Sequence, residues 1–310
     1  MTGIILHQYA SSTFSEKVRA LLGFKQAAYR VVEIPVIMPR PFVMPLTGGY
    51  RKTPVLQIGA DIFCDTALIC RVIDQMYPDN SIYPENRAAS DTAIANWIDT
   101  FLFRCAVAIA FQSGLDEGNS FFETDAEAAA FIADRADLAK GSDQLQIDLR
   151  IAESHFMTFL NDMDCQLGMT AFLGGETPTI ADFSAFHLVW FLKGRQRLSA
   201  MFEPFTKVVN WFQIMSAFGH GDYLEIDGRS ALAEARESEP DYFEETVFLE
   251  DIDAGAVVEV MPIDYGFHPV RGKLLAARFD EIVVSRNNPD IGTVFVHFPR
   301  IGFQVRRVSQ

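Results

Sequence analysis

The residues best suited to chemistry lie in Tyr50-Arg-Lys-Thr-Pro54-Val-Leu-Gln and, after Gly59, in Phe63-Cys-Asp65-Thr66-Ala67-Leu-Ile69. Proline lacks a backbone N–H, so Pro54 suits the first residue of a strand and not its middle. If the Thr53-Pro54 bond is cis, the N–H and C=O of Thr53 face outward and can pair with an extended peptide. Asp65 and Thr66 then open an apolar-periodic helix. Carboxylate, hydroxyl and free N–H groups at a helix N-terminus hold the charged ends of a small peptide. Upstream, Tyr9-Ala-Ser11-Ser12-Thr13-Phe14-Ser15 runs from a buried strand, Ile4-Ile5-Leu6, into a helix that starts near Phe14. Ser12 reads as the N-cap of that helix.

These segments resemble the N-terminal domain of glutathione transferases, in which a cis-proline loop and an acidic-hydroxyl pair bind the tripeptide. The resemblance implies that Thr53, Pro54, Asp65 and Thr66 bind glutathione and that Ser12 activates its sulfur, with Ser11, Ser15 and Tyr9 as rivals. Thioredoxin-like proteins carry a Cys-x-x-Cys pair at this loop-to-helix junction. Here that frame reads Ser12-Thr13-Phe14-Ser15, which excludes a disulfide shuttle. Thr13 stands where many relatives have proline. The chemistry needed is modest. A thiol of pKa about 8.5 is only a few per cent ionised at neutral pH. A hydrogen bond to the thiolate contributes roughly 1.5–3 kcal/mol, about one to two pKa units. Arg40, Arg51 and Lys52 are close enough in sequence to offer cations to the glycine carboxylate, although ordinary solvated charges are an equal reading of each. Turnover of a small electrophile by a homodimer is what the resemblance further implies, while Cys64 and Cys70, read as buried reduced thiols, point to a cytoplasmic protein.

Composition bounds the rest. At 310 residues, nearly half hydrophobic and with 27 phenylalanines, the chain has ample core for two or three domains. A net charge of −15 argues against a nucleic-acid or membrane partner for the whole protein. No stretch reads as long and apolar enough to span a bilayer; Phe101–Phe111 is short and contains Arg104. The four cysteines and six histidines show neither disulfide nor metal spacing, so no metal is expected.

Three parts follow along the chain. Residues 1–84 alternate strands and helices and read as an α/β thioredoxin-like domain, with four prolines between Pro35 and Thr47 replacing a regular second helix. Residues 87–222 read as an all-helical bundle. In Thr177-Pro-Thr179-Ile-Ala-Asp182-Phe183, threonine and acid three residues apart cap a central buried helix. Glutathione transferases carry such a helix in their second domain, where its role is structural. Trp97, Phe101 and Arg104 are candidates for an apolar substrate pocket, with core packing as the alternative duty. Residues 223–253 are an acidic linker or solvated helix. Residues 254–310 switch to period two, and five short strands predict a small all-β domain, an SH3-like barrel or sheet, that covers an edge, supports a dimer or overlies the pocket. The rival function is a non-catalytic protein of the same fold that binds an apolar metabolite or a partner chain.

Overall fold

The computed structural model describes residues 3–112, 124–143, 146–241, 246–247 and 252–308. Alternation of side chains sets its centre. In β1 (Ile4–Gln8), Ile4 and Leu6 enter one core while Ile5 enters the other, as a strand buried on both faces must. After α1 (Thr13–Phe24), β2 (Ala28–Glu33) returns parallel to β1. A short turn of helix, α2 (Met44–Thr47), occupies the proline-rich segment. β3 (Val55–Ile58) and β4 (Asp61–Cys64) then form an antiparallel pair beside β1, and α3 (Thr66–Met76) follows. This is the thioredoxin-like α/β domain expected from the sequence.

The helical domain comprises α4 (Ala88–Trp97), α5 (Phe103–Gln112), α6 (Asp125–Leu138), α7 (Leu149–Leu167), α8 (Ile180–Lys193) and α9 (Thr206–Ser216). A π turn over Ile98–Leu102 joins α4 to α5 in one helix, Ala88–Gln112. That continuous helix is long and apolar enough to cross a membrane, contrary to the sequence expectation. Its Ala95, Ile98, Leu102, Cys105 and Ile109 are core residues packed with α7 and α8, which accounts for the apolar composition. α8 is buried almost all round, as its near-continuous apolar sequence requires. The Asp182 carboxylate accepts from the N–H groups of Leu173, Gly174 and Thr179 and from the Trp211 indole, at 2.8–3.1 Å.

The chain then returns to the sheet. At the end of α1, Gly23 lies so close to the returning backbone that a Cβ would stand 2.1 Å from the Gly219 carbonyl oxygen. Beyond it, β5 (Asp222–Glu225) adds a parallel strand beside β2, although every one of its residues is exposed. α10 (Gly228–Glu237) follows, its first turn capped by the Asp227 carboxylate.

The tail strands are β6 (Thr246–Val247), β7 (Val257–Pro262), β8 (Val270–Ala277), β9 (Glu281–Asn288), β10 (Gly292–Pro299) and β11 (Phe303–Arg307). Of the two forms open in the sequence, barrel or sheet, they adopt the sheet, and that sheet is continuous with the first domain. β10 pairs parallel with β4, giving the order β11-β7-β8-β9-β10-β4-β3-β1-β2-β5, with β6 beside β8. The tail therefore covers the β4 edge, which would otherwise expose unpaired backbone groups. Val258, Val260, Leu274, Val284, Val296 and Phe298 share a core with Ile5, Val55 and Ile62.

Candidate functional site

Strand register brings the chemical residues together. His7 pairs with Val55, and Val55 pairs with Cys64. The loop after His7, which ends in Ser12, the residues just before Val55, and Asp65 just after Cys64 therefore meet at one end of the sheet. The Thr53-Pro54 bond is cis. Thr53 is half-buried, and its backbone N–H and C=O have no partner among the described residues. Its hydroxyl accepts from Arg40 at 2.8 Å.

Asp65 caps α3, accepting from the Ala67 N–H at 2.9 Å. Its φ of +75° lies in the left-handed region, where a non-glycine residue costs on the order of 1–3 kcal/mol and tends to mark function. Burial pushes its carboxyl above the ordinary range despite the Lys52 ammonium and the Ala67 N–H. Thr66 is buried beside it.

Ser12 is the N-cap of α1, and its Oγ accepts from the Ser15 N–H at 3.2 Å. The two readings of Ser12 are compatible. A hydroxyl that accepts a capping bond keeps its own proton, and the Ser12 O–H has no acceptor among the described residues. Of its rivals, Ser15 is sealed in the core, Ser11 is exposed, and the Tyr9 ring is half-buried beneath the Arg40 guanidinium. Arg19 holds the loop ahead of Ser12 through the Ala10 carbonyl at 2.9 Å.

The cations are less available than the sequence suggests. Arg40 is buried and donates to the carbonyls of Pro35, Val36 and Arg51 as well as to Thr53, so it clamps the proline-rich segment. Arg51 pairs with Asp134 at 2.7 Å and Asp137 at 2.5 Å, on α6. Lys52 meets Asp264 of the tail.

Trp97, Phe101 and Arg104 form one stack: the first two rings lie 5.8 Å apart, and the Arg104 guanidinium lies 4.7 Å from the Phe101 ring. Phe159 and His155 of α7 close on this stack edge-on. Phe103, on a different face of the same helix, meets Phe14 of α1 at 4.8 Å. That aromatic pair joins the two domains, with Phe14 two residues beyond Ser12. Helical phase from Phe101, which separates positions 101 and 103 by about 200°, was the signal for it.

No local pattern signals the buried polar chain that accompanies this pair. The Thr13 hydroxyl meets His187 Nδ1 at 2.7 Å, and His187 Nε2 meets Asp99 at 2.9 Å. Asp99 in turn pairs with Lys17 at 2.5 Å and accepts from Ser184 at 3.2 Å. Thr13 thus fastens α1 to α8. Burial outweighs the Asp99 hydrogen bond and holds His187 below its ordinary pKa. For Lys17, the Asp99 carboxylate prevails over burial and keeps the ammonium pKa high. In the neutral ring, Nε2–H donates to Asp99, while the single Thr13 proton is shared between Nδ1 and the His187 carbonyl, 3.1 Å away.

The tail residues Tyr265, His268 and His297 lie in different surroundings. His297 is buried in the β4–β10 seam between Asp61 at 2.9 Å and Glu281 at 2.7 Å. Tyr265 and His268 lie instead beside Lys52 and Arg51. No cluster of metal-binding side chains occurs among the described residues.

Comparison with known proteins matches residues 6–81 to the family "Glutathione S-transferase, N-terminal domain". A GST-like protein from Pseudomonas syringae of known crystal structure shares 33% identity, with a TM-score of 0.82 over 99% of this chain and 100% of that one. That overlay takes in the tail strands. Prostaglandin E synthase 2 of Danio rerio is 24% identical over 273 residues, 68% of this chain and 70% of its own. Poplar glutathione transferase F1, at 15% identity and a TM-score of 0.52, covers 77% of this chain and 100% of its own, and shares the fold.

Proposed function

Because the chain belongs to the glutathione S-transferase-like family, we propose that it is a glutathione-dependent transferase acting on a small apolar electrophile. The observation that carries this reading is the shared register of His7, Val55 and Cys64, which gathers Ser12, Thr53 and Asp65 at one end of the sheet. In this reading the tripeptide runs along the backbone of Thr53 and Pro54. Its γ-glutamyl end meets Asp65 and Thr66, and its glycine end lies toward Lys52, with Arg40 shaping the loop from behind. The sulfur rests by the Ser12 hydroxyl at the positive end of α1, which favours the thiolate. The electrophile enters between the domains, where Phe14 and Phe103 supply an apolar wall. Trp97, Phe101 and Arg104 support that wall from the α7 side.

Retention on immobilised glutathione and turnover of a model aryl halide test the reading. Ser12→Ala should lower turnover at least about tenfold, the loss of one transition-state hydrogen bond, with glutathione binding largely kept. The rival reading, a non-catalytic binder of apolar molecules, is favoured if apolar compounds raise the melting temperature and glutathione does not, since ligands stabilise the state they bind.

A further inference from the structure

Four cations border the Thr53 end of the sheet, and each is committed to a group of the protein. Arg40 and Arg51 are held as described above. Arg135 donates to the Val36 carbonyl and approaches Asp134 at 3.4 Å. Lys52 differs because its partner comes from the tail. Both Asp264 carboxylate oxygens accept from its ammonium, at 2.6 and 2.8 Å, and the Tyr265 ring centre lies 4.0 Å away. The corner is pinned to the helical domain on both sides. Ser142 donates to the Asp264 carbonyl, and the Gly266 N–H donates to the Leu138 carbonyl at 3.0 Å. A two-oxygen salt link is the coordination that a peptide's terminal carboxylate would take from an ammonium with three donors.

We infer that Asp264 is a built-in competitor for the carboxylate end of the thiol peptide. The Asp264–Tyr265 corner fills the Lys52 subsite, and a carboxylate-bearing ligand displaces it. The inference rests on the reading above, in which Lys52 borders the peptide site. A ligand with a free glycine carboxylate exchanges one ion pair for another and gains little from Lys52. A ligand whose glycine is esterified binds with the tail corner in place. The tail thereby sets which thiol peptides the site prefers.

Calorimetric binding of glutathione and of its glycyl monoester to the full chain and to Asp264→Asn tests this. The variant should bind glutathione about tenfold more tightly, the equivalent of one freed ion pair of ~1.4 kcal/mol, and bind the ester unchanged. Equal or weaker glutathione binding by the variant overturns the inference. In the unsubstituted protein, glutathione should speed hydrogen exchange at the Gly266 amide. Slower exchange there overturns the inference even if the variant fails to fold. If neither ligand binds either protein, the peptide-site reading itself falls, and the inference with it. Ester binding without a carboxylate effect sinks the inference alone.

Discussion

His187 and His297 are both fully buried, both engaged through both ring nitrogens, and both placed where one part of the chain meets another. His187 joins α1 to the helical domain, and His297 joins β10 of the tail to β4. Their surroundings differ in one respect. His187 has a hydroxyl on one side and, on the other, a carboxylate already neutralised by Lys17. His297 has a carboxylate on each side. Burial therefore wins at His187 and holds its pKa down, whereas at His297 the hydrogen bonds to Asp61 and Glu281 overcome burial and raise it. A hydroxyl and a lysine-held carboxylate leave burial in charge, whereas two facing carboxylates, one of them shared with Arg278, raise the imidazole.

The sharpest way to break this comparison is to remove Lys17. Lys17→Met leaves Asp99 without its ammonium, a change that typically costs about 3–5 kcal/mol when a buried pair loses one partner. The orphaned carboxylate should then draw a proton onto His187, making the first seam resemble the second. Denaturant unfolding gives the loss, and imidazole NMR shifts report the proton; a His187 that stays neutral at pH 6 would break the rule. His297→Gln strips the cation from two buried carboxylates and should cost roughly 3 kcal/mol, with Arg278 keeping Glu281 partly paired.

The pH dependence should separate the two seams by sign. His297 has a folded pKa above its unfolded value, so its stabilisation is complete below about pH 6.5 and fades as pH rises through the raised value. His187 has a lowered pKa, so its seam loses stability as pH falls below about 6.5, where the unfolded chain binds the proton first. Unfolding free energies of His297→Gln and His187→Gln across pH should therefore differ from those of the parent with opposite slopes. The smallest effect belongs to Thr13→Val, which deletes the hydroxyl on Nδ1 and should cost about 1–3 kcal/mol without moving the His297 titration.

Much of this architecture was legible in local pattern. Period-two segments from Val257 onward located five tail strands, and the Thr179–Asp182 spacing located α8. The cap readings of Ser12 and Asp65 followed from residue types that accept from free N–H groups. What stayed hidden depends on pairing across long sequence separations. β5, Asp-Tyr-Leu-Glu, is exposed at all four positions, so it has no apolar alternation to betray it, and its pairing with β2 rests on the backbone ladder and a single ring contact, Tyr29 with Tyr223. Nothing local to β10 says that β4 is its neighbour. Lys17, Asp99 and His187 read singly as ordinary polar residues, and only the packing of α1 on α8 makes them a chain. The Lys52 partner lies in the tail, 212 positions away, so neighbouring charges gave no warning that this cation was taken.

The Ser12 hydroxyl acts on the protonation state of a bound sulfur. Ultraviolet absorbance of the thiolate in the glutathione complex, followed across pH for the parent and for Ser12→Ala, measures it directly. The bound-thiol pKa should be about one to two units lower in the parent than in the variant. Coincident titrations, or a bound thiol that titrates as it does free in water, would contradict it.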